Sequence, residues 1–157
     1  MRLIITLLIM ITMWSSSCKP AGPTLEPLDL LSEGLPLKIN APADAVVTTS
    51  DLGIMKDVTI KSETGYSIQI FESEAKSLDV TKLLAEIKAE VEGSKYFSKI
   101  ISEDESGFVF ERKVDETYIN YDFRYVQIRG DKQYVIQSGL SSQQTLDDIK
   151  SMYKSVM

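Results

Sequence analysis

Serine and lysine are the side chains whose spacing comes nearest to a catalytic pair in this sequence. A serine precedes a lysine by three positions in three places, Ser16/Lys19, Ser73/Lys76 and Ser151/Lys154. Such a pair can transfer an acyl group without histidine, but chance produces some matches in a chain this rich in both residues, and no second acyltransferase motif accompanies them. The chain also contains no histidine, which excludes the Ser-His-Asp and Cys-His mechanisms. We therefore predict no catalytic residue and a protein that is not an enzyme.

Two charged tripeptides offer weaker candidate sites. Glu103-Asp104-Glu105 provides oxygen ligands, but a calcium site needs about six to eight oxygens from a preformed loop, and no spaced Asp-x-Asp pattern is present. Arg129-Gly130-Asp131 matches an integrin-recognition tripeptide, yet a two-residue hairpin loop that begins with glycine requires the same residues. We interpret both as solvated turns, and we predict no metal and no cofactor.

One predicted strand is rich in tyrosine and phenylalanine and is the candidate binding surface. In a regular strand alternate residues share a face, which gives Ile119, Tyr121, Phe123 and Tyr125 on one face and Tyr118, Asn120, Asp122 and Arg124 on the other. Because aromatic residues dominate cores, the first face is predicted to pack beneath the helices. If both helices cover that face, Tyr118 and Arg124 remain exposed, and they are residue types enriched in interfaces. We therefore name Tyr118 and Arg124 as candidate partner-binding residues.

The single cysteine follows an apolar amino-terminal segment. After the basic Arg2, residues 3–14 are uncharged and mostly apolar, and three serines lead to Cys18. The segment is too short to span about 30 Å of hydrocarbon at about 1.5 Å per residue, so it is predicted to be a cleaved export signal. The alternatives at this point are a signal that ends on a modified Cys18 and a plain secretory signal cleaved near Ser17.

The arrangement resembles the bacterial lipoprotein signal, although Ser15 occupies the position where that family usually has leucine. The resemblance implies that Cys18 becomes the first mature residue and carries a diacylglyceryl group and acyl chains such as palmitate. It thus implies a lipid anchor at Cys18 and a location in the bacterial cell envelope. Lys19 follows Cys18, where enterobacterial inner-membrane lipoproteins carry aspartate, so we expect the outer membrane.

Composition limits the partners and the number of domains. Acidic residues outnumber basic ones by 23 to 17, so we predict no nucleic-acid partner, because phosphate binding needs clustered lysine and arginine. With 157 residues, 43% of them hydrophobic and 25% charged, the chain is predicted to form one folded domain. We divide it into a signal peptide (1–17), the lipidated cysteine with a proline-rich tether (18–36) and a single α+β domain (37–157).

Hydrophobic periodicity predicts the elements of that domain. Alternation around a Glu63-Thr64-Gly65 turn indicates a hairpin, and an amphipathic stripe from Val80 to Val91 indicates a helix with Asp79 as N-cap and Gly93 as the C′ residue. Four strands follow, at about 96–102, 108–114, 118–128 and 132–138. Ser141 and Gln144 suggest a capping box for a last helix. The core is predicted to include Leu84, Ile87, Phe123, Val135 and Ile149.

The fold class is therefore α+β, an antiparallel sheet of about six to seven strands with one helix inserted midway and one at the C terminus. The last strand and its exit, residues 133–140, followed by the helix at 145–157, resemble the PsbP-like superfamily of photosystem lumenal subunits, a nuclear-transport GTPase-binding factor and small bacterial envelope proteins. The resemblance implies this topology over about residues 37–157 and carries no catalytic or partner-binding residue with it.

Two functions remain open. The first is a membrane-anchored envelope lipoprotein whose domain binds or scaffolds another, unidentified envelope protein. The alternative is a carrier of a small apolar ligand in a cleft between the sheet and the midway helix. A flat exposed face with Tyr118 and Arg124 favours the scaffold, whereas a deep apolar pocket with convergent polar groups favours the carrier.

Overall fold

The computed structural model describes residues 24–140 and 144–157. These residues form a seven-stranded antiparallel sheet, a two-stranded sheet, one helix in mid-chain and one C-terminal helix. The predicted fold class, an antiparallel α+β domain with one midway and one terminal helix, is confirmed. The predicted signal peptide, Cys18 and Ser141 lie outside the described residues.

Nine strands, two helices and one 3-10 turn make up the described chain. In chain order they are β1 (Leu25–Asp29), the 3-10 turn (Leu31–Glu33), β2 (Lys38–Pro42), β3 (Val46–Asp51), β4 (Met55–Lys61), β5 (Ser67–Glu74), α1 (Val80–Glu92), β6 (Phe97–Glu103), β7 (Gly107–Lys113), β8 (Ile119–Arg129), β9 (Lys132–Ser138) and α2 (Leu146–Ser155). β1 pairs with β2, and the large sheet has the order β3-β4-β5-β9-β8-β7-β6.

The large sheet consists of two meanders joined along one pair of strands. β3, β4 and β5 form the first meander, and β6 to β9 form the second. They meet where β5 pairs with β9, in a register that places Ile70 opposite Ile136. α1 connects β5, inside the sheet, to β6 at its far edge. α1 must therefore cross one face of the second meander.

The strands and turns predicted after α1 agree closely with the structure. Each of the four strands differs from its predicted range by at most one residue at either end. Gly130-Asp131 is the predicted two-residue loop between β8 and β9. Gly130 has φ 60°, and no described residue other than glycine has positive φ. Asp131 therefore has negative φ, as a type II′ turn requires.

The two helix caps differ in how well they match the sequence prediction. The Asp79 side chain accepts a hydrogen bond from the Lys82 N–H at 3.2 Å, as predicted, whereas Gly93 ends α1 in a right-handed conformation rather than a left-handed one. The predicted Ser141–Gln144 capping box of α2 is wrong. Thr145 is the N-cap, and its backbone N–H and hydroxyl both bind the Asp148 carboxylate. Thr145 and Asp148 thus form a capping box, in which Asp148 occupies the N3 position that is usually glutamate or glutamine.

The predicted tether is wrong from residue 24 onwards, because this stretch belongs to the folded domain. β1 pairs along its length with β2, and Leu30 and Leu35 are completely buried. Pro27 is tolerated because it lies in an edge strand, and Gly34, at φ 77°, closes the 3-10 turn. The prolines suggested a spacer, but the leucines between them supply core side chains. The folded domain therefore includes residues from Leu25 onwards and does not begin at Leu37.

The two faces of the large sheet are covered by different parts of the chain. One face, which we call the closed face, carries Val58, Ile70, Ile136 and Phe123 and packs against the leucines of residues 30–37 and against α2. The other, which we call the cleft face, carries Phe110, Val126 and Val135 and packs against α1. The two helices therefore lie on opposite faces of the sheet.

Candidate functional site

α1 covers only part of the cleft face. Its apolar stripe, which includes Leu83, Leu84 and Val91, packs on Phe108 and Val126 of the second meander. On the first meander, Gln69, Phe71 and Ser73 of β5 point to the same face and are only half-buried. The cover is incomplete because α1 connects β5 to β6, at one edge of the sheet. The other side of the cleft face, towards β3, is left without a helix.

A cleft of about 490 Å³ lies where the cover by α1 stops. Its volume is within the range of about 300–1,000 Å³ that is typical of small-ligand sites. α1 forms one wall, and β4, β5, β7, β8 and β9 form the floor and ends. The lining residues are Met55, Phe71, Ser73, Ile87, Glu90, Val91, Ser94, Phe110, Arg112, Arg124, Gln133, Val135 and Gln137. The cleft lies between the sheet and the midway helix, which is the place that the carrier hypothesis names.

The strand registers order the floor of the cleft into rows. Gln137 lies opposite Arg124, and Val135, two residues along β9, lies opposite Phe71. Gln133 follows after two more residues, opposite Ser73 on β5. At a rise of about 3.3 Å per residue, the floor measures about 13 Å from Gln137 to Gln133. The cleft thus has a cationic end, an apolar middle and an uncharged polar end.

Arg124 is held in place from three sides. Its Nη1 donates to Asp122 Oδ2 at 2.8 Å and to the Phe123 carbonyl oxygen at 2.7 Å. Its guanidinium also lies over the Phe110 ring, 5.2 Å from the centroid, which is a favourable cation–π distance. The side chain is 16% exposed. Arg124 is therefore a fixed positive charge at the end of the cleft.

Asp122 is the buried carboxylate that balances this end of the site. One of its oxygens, Oδ1, accepts hydrogen bonds from the Phe123 N–H at 2.8 Å, the Ser138 N–H at 3.2 Å and the Ser138 hydroxyl at 2.6 Å. The other oxygen binds Arg124, and Arg112 Nη2 is 3.9 Å from it. The Asp122 carboxylate thus lies next to the guanidinium groups of both Arg112 and Arg124. It already accepts four hydrogen bonds.

Tyr118 lies away from this cluster. It precedes β8, is 42% exposed, and its N–H donates to Asp115 Oδ1 at 2.8 Å. Arg124 follows six positions later, about 20 Å along an extended chain. The structure therefore does not bring Tyr118 and Arg124 together. The expectation that both helices pack on the Phe123 side is wrong, because α1 packs on the face that carries Arg124.

The other predicted sites have structural explanations. Asp104 accepts hydrogen bonds from the N–H groups of Ser106 and Gly107 and from the Tyr153 hydroxyl, so it fastens the β6–β7 turn to α2. Burial, reinforced by Asp104, raises the pKa of Tyr153. Within the described part of the chain, no three carboxylates converge to hold a metal ion. Ser73 and Ser151 do not form hydrogen bonds with the lysines three positions later.

Sequence reasoning did not identify Arg112, Gln137 or Phe71 as site residues. Each is an ordinary member of an alternating strand, and only the pairing of β5 with β9 and of β7 with β8 brings them to one cleft. Ile87 and Val135 were predicted as core, but both are half-buried and line the cleft. Leu84, Phe123 and Ile149 are buried as predicted.

Comparison of the chain with models of protein families, with curated proteins and with solved structures finds no match. Among the described residues, no helix combines the length and the apolar character needed to cross a membrane.

Proposed function

We propose that this protein is a non-enzymatic, lipid-anchored protein of the bacterial cell envelope that carries a small ligand in the cleft between α1 and the sheet. The observation that supports the carrier role is the cleft itself, an apolar floor of Phe71 and Val135 with polar groups at both ends. The walls belong to a helix and to strands in the middle of a sheet, so the site is built on rigid elements. Ligand sites commonly combine such apolar surfaces with a few convergent polar groups.

Filling the cleft tests this role. In the Cys18→Ser chain, which keeps every described residue, Ser73→Trp places a large ring in the cleft, whereas Ser50→Trp places the same ring on the exposed edge strand β3. Binding of the fluorescent apolar probe anilinonaphthalene sulfonate should fall with Ser73→Trp and persist with Ser50→Trp. Equal binding by both variants, with unchanged unfolding midpoints, contradicts the carrier role.

The second candidate function is the scaffold, and one surface favours it. Leu52 is 60% exposed and Ile54 is 90% exposed at the turn between β3 and β4, and neighbouring exposed apolar side chains often mark protein contacts. Replacing both with serine should abolish capture of an envelope protein by crosslinking if this turn is the docking point. Capture that persists in this variant argues against docking there.

The anchor proposal rests on the sequence around Cys18. Because β1 begins at Leu25, only six residues separate the cysteine from it, and a chain of this length reaches about 25 Å at most. The lipid would thus hold the domain close to the bilayer, and we propose the outer membrane as that bilayer.

Cys18→Ala should abolish labelling by a radioactive fatty acid and move the protein from the membrane fraction to the soluble fraction. Cys18 is the only cysteine, so no other thiol in the chain can accept the lipid. The control is Ser16→Ala, which should leave both labelling and fractionation unchanged. A Cys18→Ala protein that is still processed normally and stays membrane-bound would refute the anchor.

A further inference from the structure

We propose that the ligand of the cleft is an anionic amphiphile whose acidic group binds Arg112 and Arg124 and whose hydrocarbon chain lies along Phe71, Val135 and Ile87. This inference rests on the proposed carrier function and names the chemical class of its ligand. It follows from the distribution of charge and of apolar surface within the cleft.

The cationic end has unused hydrogen-bond donors. Each guanidinium carries five N–H donors, whereas Asp122 is one carboxylate and already accepts four hydrogen bonds. Among the described residues, the charged partner of Arg112 is Asp122 at 3.9 Å, and the Arg112 side chain is 39% exposed. The donors of Arg112 are therefore available to a carboxylate or a phosphate, which arginine binds in a bidentate manner.

The apolar middle of the cleft is adjacent to this end. Val135 and Phe71 lie one row beyond Gln137 on the sheet, and Ile87 and Val91 of α1 line the opposite wall. A hydrocarbon chain laid here removes apolar surface from water on both sides, at about 25 cal/mol per Å². The floor of about 13 Å suits a medium-length chain better than a compact head group.

The other lining residues determine the orientation of the ligand. The far end carries Met55, Ser73 and Gln133, which have no formal charge, and Glu90 on α1 is the exposed carboxylate that lines the cleft. Among the residues that line the cleft, the two arginines therefore provide the favourable position for an acidic group. Glu90 weakens the attraction of the cleft for anions, and its removal should strengthen anion binding.

Calorimetric titration of the Cys18→Ser chain tests the proposal with probes of one chain length, below their micellar concentrations. Dodecanoate and dodecyl phosphate should each bind about tenfold more tightly than methyl dodecanoate, because a hydrogen bond to a charged group contributes about 1.5 kcal/mol or more. Dodecyltrimethylammonium should bind more weakly than the ester. The order of the two acids identifies whether a carboxylate or a phosphate is the natural head group.

Three variants distinguish the contribution of the charged groups to ligand affinity from the contribution of the apolar surface. Arg112→Gln should weaken dodecanoate about tenfold and leave the ester unchanged, and Glu90→Gln should tighten dodecanoate. Arg129→Gln, at the exposed β8–β9 turn outside the cleft, should change neither. Acid and ester that bind equally, or an Arg112→Gln variant that loses both equally, would overturn this inference and leave the carrier function standing. No binding of any probe would overturn the carrier function as well.

Discussion

The two faces of the large sheet differ in how fully the rest of the chain covers them. On the closed face Phe123 and Ile149 are completely buried, and both the leucine-rich residues 30–37 and α2 cover it. On the cleft face α1 is the cover, and Ile87 and Val135 are only half-buried. On the cleft face the cover by α1 ends over the sheet and leaves the concave boundary that lines the cleft. The proposed binding site lies on the cleft face, where burial is incomplete.

The largest effect should come from the centre of the closed face. Phe123→Ala removes a completely buried ring that packs at 5.7 Å, edge to face, against Tyr153. We expect a loss of about 3–5 kcal/mol in the free energy of unfolding, measured by urea titration. A loss below about 1 kcal/mol would contradict the close packing of this face.

The closed face should also be the more sensitive one to alkaline pH. Burial raises the pKa of Tyr66 to about 12, and its hydroxyl donates to the Asn40 carbonyl oxygen at 2.8 Å. The unfolded chain releases this proton near pH 10, so the stabilisation is complete below pH 10 and is lost as the pH rises through 12. Between pH 8 and pH 11 Tyr66 should contribute a loss of about 1 kcal/mol. Unfolding titrations at both pH values should show a loss about 1 kcal/mol smaller in Tyr66→Phe than in the unchanged chain, because Tyr134 and Tyr153, whose pKa values are also raised, contribute to the loss in both proteins. Equal losses in the two proteins would mean that Tyr66 does not contribute.

Two isoleucines on the two helices provide a matched comparison of the faces. Periodicity alone predicts the same cost for both, about 2–5 kcal/mol on truncation to alanine. Ile149 is completely buried, so we expect Ile149→Ala to lose free energy of unfolding within that range. Ile87 lines the cleft, so we expect Ile87→Ala to lose only about 1 kcal/mol. Equal losses for the two variants in urea would mean that α1 closes over its face more fully than the structure shows.

The smallest effect should come from Arg112. Its ion pair with Asp122 is long, at 3.9 Å, and the side chain is well exposed, and such pairs contribute about 0–1 kcal/mol. Arg112→Gln should therefore shift the free energy of unfolding by less than about 0.5 kcal/mol, as measured in urea. A larger loss would mean that Arg112 supports the fold rather than a ligand.

The sequence predicted the strands well because alternation is a local property. β6 to β9, the II′ turn at Gly130 and the cap at Asp79 all depend on residues close together in the chain. Which face α1 would cover was not predictable in this way. β8 carries apolar residues on both faces, Phe123 on one and Val126 on the other, so its pattern is compatible with a helix on either side.

The cleft and the amino-terminal segment were missed for related reasons. Phe71 and Arg112 meet only through strand pairings between distant segments, and no local spacing encodes such a meeting. In the amino-terminal segment, prolines are the strongest local signal and favoured a spacer, whereas the burial of Leu30 and Leu35 depends on a sheet formed later in the chain. Local chemistry therefore predicted the elements, and long-range pairing determined the site.

The pairing of β5 with β9 also determines the order in which the chain can acquire its structure. Each meander is assembled from hairpins between consecutive strands, which form rapidly, but Ile70 meets Ile136 only after 66 residues of chain have been made and their loop has closed. Until then β5 exposes an unpaired edge with two large aliphatic side chains, Ile68 and Ile70. A nascent chain that ends before residue 132 therefore presents this strand to any other extended segment, so aggregation during synthesis should depend on how soon β9 emerges.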